Sequence, residues 1–473
     1  METPRNSKYL MQLTLVATLG GLLFGYDTAV ISGTVSALDS FFVLPFGLDE
    51  MSANSRLGFL VSSALIGCII GGISGGYISK KIGRKKGLLL AAILFLCSAL
   101  GSAMPELFMK PIGAGDHTFI YVFIVYRIIG GIGVGLASML SPLYIAEIAP
   151  AKIRGKLVSL NQFAIIFGML IVYFVNYYIA GQGDDTWLNT VGWRWMFASE
   201  VIPASLFLAF LLFVPDTPRS LVLKNKPEKA LQVLEKVNGK LEAQKILHDI
   251  QNTVSHKSGK LFSFGIAVVV IGILISVFQQ FVGINVVLYY APEIFKNMGS
   301  GTDTALLQTI IVGGVNLLFT VLAIFTVDKY GRKPLMIIGA LAMAVAMFAL
   351  GATFYSQTVG ILALICMLVY VAGFAMSWGP VTWVLLSEMF PNKIRDKALA
   401  VAVAAQWISN YVVSWTFPMM DKNSYLLEKF NHGFAYWIYG VMGLIAMFIV
   451  WKFVPETKGK TLEEMDDVWW EEN

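Results

Sequence analysis

Long apolar runs separated by short polar segments recur along the whole chain. Each run is close to the roughly 20 residues that a helix needs to cross a bilayer. Because a backbone in lipid has no water to bond to, such runs are predicted to be helices. The pattern predicts twelve spans, at residues 10–35, 57–79, 87–105, 118–143, 156–181, 194–214, 262–291, 304–327, 334–356, 359–386, 398–419 and 433–454.

The composition agrees with an integral membrane protein. Of the 473 residues, 56% are hydrophobic and 14% are charged, whereas soluble domains carry about 25% charged residues. This excludes a water-soluble fold. Cys68, Cys97 and Cys366 all lie in apolar runs, which excludes the disulfide framework of a small secreted protein.

Lysine and arginine are concentrated in one set of alternate loops. By the positive-inside rule these basic loops face the cytoplasm. With twelve spans, both termini lie on that same side, so the sequence predicts a multi-pass protein with cytoplasmic termini. The basic residues of this set are Lys80, Lys81, Arg84, Lys85, Lys86, Lys152, Arg154, Lys156, Lys329, Arg332, Lys333, Lys393, Arg395 and Lys397.

Three segments of these loops occur twice, at an offset near half of the chain length. Since six predicted helices separate the copies, the two halves have the same orientation in the membrane. Transporters built from parallel repeats share this arrangement and bind their substrate between the halves. The repeated pairs are 83–85 with 331–333, 147–156 with 388–397, and 215–217 with 455–457.

The repeat also predicts how the chain is divided. Residues 1–215 are expected to form one six-helix half and residues 261–455 the other. Residues 216–260 are rich in Lys and Glu, and the apolar spacing at 230–237 is typical of a surface helix. We therefore predict a cytoplasmic helical linker at 216–260 and a cytoplasmic tail at 456–473.

Three charged residues lie well inside predicted helices, where charge is costly and usually functional. At 1.5 Å per residue, Asp27, Arg127 and Glu200 lie roughly 12, 13 and 10 Å from the outer helix ends. An Asp beside Arg⁺ favours the ionised form, whereas the same Asp in a dry site without that partner favours the protonated form. Alternation between these environments would carry a proton. A static ion pair that fixes helix packing is the alternative.

Amides and aromatic rings recur in the other apolar helices. A sugar needs neutral groups that both donate and accept hydrogen bonds, together with a flat apolar face for its C–H surface. A single buried amide is more often a packing contact between helices, but several beside tryptophans favour a sugar site. The candidates are Gln162, Gln279, Gln280, Asn285, Asn316, Gln406, Phe24, Trp383 and Trp407.

Several segments together resemble the sugar porter family of the major facilitator superfamily, and within it the bacterial D-xylose:proton symporters. The resemblance covers nearly the whole chain. It implies an all-α membrane protein of the major facilitator fold, with twelve transmembrane helices in two six-helix halves. The segments are the Gly-Arg-Lys pairs at 83–85 and 331–333, the Glu-x-x-Pro-x-x-Ile-Arg pairs at 147–154 and 388–395, and residues 215–219, 279–285 and 455–459.

The resemblance also implies roles for residues. The acid at Asp27 would carry the proton, the amides and aromatics above would contact the sugar, Gly379 would allow close approach, and Tyr289 would form an outer gate. Gly283 and Gly379-Pro380 are expected to interrupt their helices near the site. Salt bridges at the cytoplasmic helix ends would close the inner gate. These gate residues are Arg84, Glu147, Arg154, Asp328, Arg332, Glu388 and Arg395.

The chain departs from the family pattern at three positions. Met169 stands where the bacterial xylose symporters usually have a glutamine, which puts the preference for xylose in question. Ser220 replaces the usual tryptophan after Pro218-Arg219, and Asp396 replaces the glycine that normally follows Arg395. The last two concern the inner gate rather than the substrate.

The predicted function is import of a monosaccharide, D-xylose, coupled to protons, by a monomer in a bacterial inner membrane. Glucose, galactose, arabinose or a polyol are open alternatives, as are a facilitative hexose uniporter and a non-transporting sugar sensor. Residues 130–135 resemble a dinucleotide loop, but no strand precedes them, so close helix packing is the better interpretation. The sequence offers no catalytic set, metal cluster or phosphate loop. It therefore predicts no enzyme, no cofactor and no nucleic-acid partner.

Removal of single amides tests the predicted sugar site. Gln162→Ala, Gln279→Ala and Gln280→Ala should each weaken sugar binding without loss of folded protein, because each removes hydrogen bonds of about 0.5–1.5 kcal/mol from a small ligand. Calorimetric titration of the purified variants with sugar measures the effect. Unchanged binding in all three variants would contradict the site.

Overall fold

The structure is a computed structural model that describes residues 7–150, 153–254, 261–391 and 394–458. Within that part of the chain it is all-helical, and twelve helices are long and apolar enough to cross a membrane. The twelve, α1 to α12, are Ser7–Gly33, Glu50–Ile82, Arg84–Ala103, His117–Ile148, Arg154–Ala180, Asp185–Phe213, Ile266–Tyr289, Thr302–Tyr330, Arg332–Tyr355, Ile361–Met376 with Trp378–Met389, Arg395–Asp421, and Gly433–Phe453.

Shorter helices lie outside the spans. Val35–Leu38, Asp39–Val43 and Leu44–Phe46 follow α1, Ala291–Asn297 follows α7, and Ser424–Phe430 precedes α12. Between α6 and α7 the described residues form three helices, Pro218–Leu223, Pro227–Asn238 and Lys240–Val254. Helices therefore occupy most of the predicted linker. The predicted tail is described only to residue 458, and its remainder lies outside the described residues.

Helix ends follow local chemistry that the hydropathy pattern does not contain. Glu50–Ile82 begins seven residues before the predicted start, because the Asp49 side chain accepts a hydrogen bond from the backbone N–H of Ser52 (3.1 Å) and caps the helix. Asp184 caps the start of α6 in the same way, through the N–H of Trp187 (2.8 Å). The predicted starts at residues 57 and 194 were therefore too late.

A single glycine separates the two helices of each Gly-Arg-Lys pair. Gly83, between α2 and α3, has φ +88°, and Gly331, between α8 and α9, has φ +91°. Only glycine adopts this backbone conformation without strain. We call the end of the bundle that carries these two turns the inner end, and the opposite end the outer end.

Close contact between α2 and α4 depends on residues without a side chain. A Cβ on Gly67 would lie 2.0 Å from the carbonyl oxygen of Ile128, and one on Gly131 would lie 1.8 Å from that of Ala64. The glycine-rich segment at 130–135 therefore serves helix packing, as its sequence context indicated.

The first six helices meet the last six along two helix pairs. α2 packs against α11, and α5 packs against α8. Within the first six, α1 packs on α5 and α2 on α4; within the last six, α7 packs on α11 and α8 on α10. The helices are thus brought together in the same pairings on both sides of the interface, and the boundary of each half stays a prediction.

A side chain at Gly67 should destabilise the bundle. We expect Gly67→Ala to lower the free energy of unfolding by about 1–3 kcal/mol, since overpacking against backbone cannot be relieved by a side-chain rotation. Gly76→Ala on the same helix is the control, because a Cβ there would meet only the Met139 Cε at 3.6 Å. The thermal unfolding midpoint in detergent should fall for Gly67→Ala alone, and equal midpoints would contradict this account.

Candidate functional site

A buried ion pair joins α1 to α4. The Arg127 Nη1 donates to Asp27 Oδ1 (2.8 Å), and its Nη2 donates to the main-chain oxygen of Asp27 (3.1 Å). The Asp27 residue is 0% exposed and Arg127 is 1% exposed. The Phe197 ring lies 5.2 Å from the guanidinium carbon. Since removing either partner leaves an uncompensated buried charge, this pair is sensitive to any change of protonation.

Glu200 is the third charged group at this place. It is 0% exposed, lies at the turn that starts the Val201–Phe213 part of α6, and interacts electrostatically with Asp27 and Arg127. Among the described residues, no N–H or O–H donates to either carboxyl oxygen of Glu200 or to Asp27 Oδ2, and the two carboxyl groups lie within hydrogen-bond reach of each other when one of them holds a proton. Two carboxyl groups therefore face one guanidinium in a dry environment, and the site can accommodate one proton.

Breaks in α7 and α10 lie beside the predicted amides. Gly283 interrupts α7, as predicted, with φ +91°. The predicted interruption at Gly379-Pro380 is displaced: α10 breaks at Ser377 (φ −133°, ψ −91°), and Pro380 is the third residue of the next helical segment. A proline is compatible with that position because the first backbone N–H groups of a helix have no partner within it.

The amides of α7 and α11 form a hydrogen-bonded chain. Gln279 Nε2 donates to the main-chain oxygen of Trp378 (2.8 Å), which the break in α10 exposes. Gln279 Oε1 accepts from Gln406 and from Gln280 (3.4 Å), and Gln280 Oε1 accepts from Asn285. Gln279→Ala would therefore also unpair the Trp378 carbonyl, so Gln162→Ala and Gln280→Ala are the cleaner tests of the amides.

The predicted aromatic residues come from both sides of the interface. The ring centroids of Phe24 on α1 and Trp407 on α11 are 5.6 Å apart. Trp383 is half-buried on α10, and Gln162 is half-buried on α5. Asn316 on α8 is buried, 3% exposed, and belongs to none of the described hydrogen bonds of the amide chain. The structure thus joins most, but not all, of the predicted set.

Met169 and Gly379 occupy tightly packed positions. Met169 is 6% exposed on α5, next to α1, where a Cβ on Gly25 would lie 3.1 Å from the Met169 backbone nitrogen. A Cβ on Gly379 would lie 3.2 Å from the ring of Phe374. Met169 is therefore constrained by α1, and Gly379 by the preceding segment of α10.

Asn410 was missed from the sequence. It lies one turn after Gln406 on the same face of α11, is 2% exposed, and donates to the hydroxyl of Tyr289 (3.4 Å). Ser414, a further turn along, donates to Asn410 Oδ1 (3.1 Å), and its carbonyl accepts from Tyr290 (2.9 Å). The i, i+4, i+8 spacing of polar residues could have revealed this stripe.

Bonds at the outer end cross between the two sets of six helices. Lys422 Nζ lies 2.8 Å from Asp39 Oδ2, and the Lys422 carbonyl accepts from Asn54 (3.2 Å). Trp415 Nε1 donates to the Ser55 carbonyl (3.1 Å). Tyr173 on α5 donates to Leu288 of α7 (3.1 Å), close to the predicted gate residue Tyr289, which is 3% exposed. These contacts close the outer end.

The predicted inner-gate ion pairs lie within each set of six helices. Arg84 pairs with Glu147 (2.7 Å), and Arg332 pairs with Glu388 (2.8 Å). Thr217 and Thr457 donate to these same two glutamates. Arg154 is exposed and Arg395 donates to the Phe390 carbonyl (3.3 Å). The side chains of the predicted gate residue Asp328 and of Asp396 lie outside the described residues.

Acidic residues at equivalent positions bind the starts of α3 and α9. Asp216 accepts from the backbone N–H of Lys85 (3.1 Å), and Glu456 accepts from the N–H of Arg332 (3.1 Å). Burial raises the pKa of Asp216, but hydrogen bonds, that of Lys224 first, outweigh burial and lower this pKa below its ordinary value. Ser220, which stands where the family usually has a tryptophan, also donates to Asp216 (2.8 Å).

The fold and these contacts define a membrane transport protein with buried polar groups at the interface of two helix sets. The family model for sugar (and other) transporters matches residues 13–469. The chain belongs to the sugar porter family of the major facilitator superfamily.

Two relatives of known description indicate the range of the family. The D-xylose-proton symporter of Escherichia coli (strain K12) is 63% identical over 99% of this chain and 97% of its own length. The glucose facilitated diffusion protein of Zymomonas mobilis is 42% identical over 99% of both chains.

Solved structures of the xylose transporter XylE from E. coli have the same fold. The inward open conformation gives a TM-score of 0.89 at 61% identity, covering 98% of this chain and 100% of that chain. The proton:xylose symporter bound to 6-bromo-6-deoxy-D-glucose gives 0.85 at 63% identity, with the same coverage. Closure at the outer end of the present structure agrees with the inward open form.

Reversal of one charge in the Lys422–Asp39 pair should open the outer end. Because the side chains are 35% and 20% exposed, the pair contributes about 0–1 kcal/mol, which changes the ratio of the two states by at most about fivefold. Lys422→Asp and Asp39→Lys should each lengthen the distance between spin labels at Met51 and Tyr425, in a chain with exposed Cys97 replaced by serine. The double exchange should restore the distance distribution of the parent protein. If the parent and both single variants gave the same distribution, the Lys422–Asp39 pair would have no role in the gate.

Proposed function

We propose that this chain imports D-xylose together with a proton by alternating access. The observation that carries the proposal is the buried Asp27–Arg127 pair with Glu200 beside it, on three different helices of the first six. The E. coli relative at 63% identity, described as a D-xylose-proton symporter, supports both the sugar and the coupling ion.

The sugar would lie between the two helix sets, against the amide chain. Gln280 and Asn285 would exchange their mutual hydrogen bond for bonds to sugar hydroxyls, and Gln279 would keep its bond to the broken α10. An amide offers both a donor and an acceptor, which matches a hydroxyl. Phe24 and Trp407 would cover the C–H face of the ring. Gln162, Asn316, Trp383, Gln406, Gly379 and Tyr289 complete the proposed set.

A proton on Asp27 would remove the charge that binds Arg127. In a site without water, the neutral carboxylic acid keeps only a weaker hydrogen bond to the guanidinium. Release of Arg127 would leave α1 and α4 free to change their contact, and Glu200 would then be the carboxylate nearest to the guanidinium. Proton binding would thus be linked to the change of state.

The inner and outer gates would alternate. In this structure the outer end is joined by Lys422 and Asp39. We propose that Arg84, Glu147, Arg154, Asp328, Arg332, Glu388 and Arg395 form bonds across the inner end in the opposite state, with the basic loops and both termini in the cytoplasm. The protein would act as a monomer in the lipid bilayer of a bacterial inner membrane, without enzymatic activity.

Facilitated uptake of glucose is the second candidate, because Met169 stands where the xylose symporters usually have a glutamine. A relative from Zymomonas mobilis that is 42% identical is described as a glucose facilitated diffusion protein. Asp27 favours the coupled mode.

The deciding experiment is counterflow in proteoliposomes with labelled xylose, glucose, galactose and arabinose, followed by uptake with and without an imposed proton gradient. Accumulation that an uncoupler leaves unchanged would contradict symport.

Asp27→Asn should abolish accumulation driven by a proton gradient while leaving sugar binding largely intact, because an amide of the same shape does not gain or lose a proton near neutral pH. Uptake in vesicles with and without the gradient, compared with calorimetric sugar binding, measures the effect. Glu106→Gln is the control. The Glu106 carboxylate is also buried and lies 2.8 Å from the Arg194 guanidinium, but this ion pair is outside the proposed site. Coupled accumulation by Asp27→Asn would return Asp27 to a structural role.

A further inference from the structure

Ser98 of α3 is one of five buried helical serines whose hydroxyl has no hydrogen-bond partner among the described residues. It is 0% exposed. Serines inside helices usually donate to the carbonyl three or four residues before them. Ser62 and Ser159 do so in this protein, to Gly58 (2.7 Å) and Gly155 (2.9 Å). The Ser98 hydroxyl instead points away from its own helix.

The hydroxyl points to the gap above Gly130 of α4, where Asp27 also lies. A Cβ on Gly130 would lie 2.3 Å from Ser98 Oγ and 3.1 Å from Asp27 Oδ1. The distance between Ser98 Oγ and Asp27 Oδ1 therefore cannot exceed the sum of the two distances just given. The absence of a side chain at Gly130 is what allows α1, α3 and α4 to bring them together.

We propose that Ser98 is a positioning residue of the proton site, an inference that rests on the proposed symport. The bond is not formed in this structure, where Arg127 holds Asp27 and the Ser98 hydroxyl has no partner among the described residues. Once Arg127 is released, the hydroxyl donates to the ionised carboxylate of Asp27 and accepts from the protonated one, since a hydroxyl does both. Ser98 lies on a different helix from Arg127, so this bond does not depend on the guanidinium. It holds the Asp27 carboxyl in place when Arg127 is released.

Other groups near Asp27 do not offer the same bond. The charged and titratable groups that face it are Arg127 on α4, Glu200 on α6, Cys68 on α2 and Tyr289 on α7. Glu200 is a second carboxyl group, and a thiol is a weak donor. Tyr289 lies in the other set of six helices, where its hydroxyl accepts from Asn410 (3.4 Å), so its distance from Asp27 changes when the two sets move. Ser98 is therefore the neutral hydroxyl best placed to bond in both protonation states.

Ser102 provides a matched control for a purely structural role. It lies one turn after Ser98 on α3, is 1% exposed, and its hydroxyl has no partner in the described part of the chain. One turn displaces it by about 5.4 Å along the helix axis. Loss of a buried hydroxyl is thus the same in Ser102→Ala and Ser98→Ala, and only the distance from Asp27 differs.

The test compares the pH profile of sugar uptake for the parent, Ser98→Ala and Ser102→Ala, all in proteoliposomes and matched for folded protein by gel filtration. A hydrogen bond to an ion is stronger than one to a neutral group, so loss of the Ser98 donor disfavours ionised Asp27 more than the protonated form. The pH of half-maximal uptake should rise by about half to one unit for Ser98→Ala, and stay at the parent value for Ser102→Ala.

A second measurement separates this inference from the proposed function. In the Asp27→Asn background, adding Ser98→Ala should change no pH dependence, because the group that it positions is gone. An unchanged profile for Ser98→Ala alone, or equal shifts for both serines, would overturn the role of Ser98 while leaving symport in place. A parent protein that shows no proton-driven accumulation would instead contradict the proposed function itself.

Discussion

A carboxylate and a guanidinium that are both removed from water hold α1 against α4. Because the Asp27–Arg127 pair is buried, its electrostatic attraction is strong, and neutralising one partner leaves only a weaker hydrogen bond. A single proton therefore has a large effect on the contact between two membrane helices. Gly130 of α4 allows Ser98 of α3 to approach this pair, and Glu200 of α6 interacts with both of its members.

The two sets of six helices have similar ion pairs and hydrogen bonds at the inner end. In each, a glycine turn is followed by an arginine that pairs with a glutamate, and a threonine donates to that glutamate. An acid then binds the first backbone N–H groups of the next helix. These contacts join helix ends within each set at its inner end. The contacts that cross between the sets lie at the outer end, which is closed in this structure.

The sugar-contact candidates show how broken helices create a binding surface. A continuous helix satisfies all of its backbone carbonyls, so it offers only side chains to a ligand. At the break in α10 the Trp378 carbonyl accepts from the Gln279 amide, and at the break in α7 the Val282 carbonyl accepts from the Tyr370 hydroxyl. The Gln279 amide is in turn bonded to Gln280 and Gln406. The polar stripe of Asn410 and Ser414 continues the chain toward the outer gate.

The sequence by itself determined the twelve spans, the internal repeat and the three buried charges, because hydropathy, loop charge and repetition are local properties of a chain. It also placed the helix break at Gly283, since glycine marks such positions. It misplaced the starts of α2 and α6, because side-chain caps decide them, and the break in α10, which falls at Ser377, where the freed Trp378 carbonyl accepts from Gln279. Only the tertiary structure decided which end is closed, which partners the gate arginines choose, and that Ser98 faces Asp27. These depend on the rotation of each helix about its axis and on contacts between residues far apart in the chain.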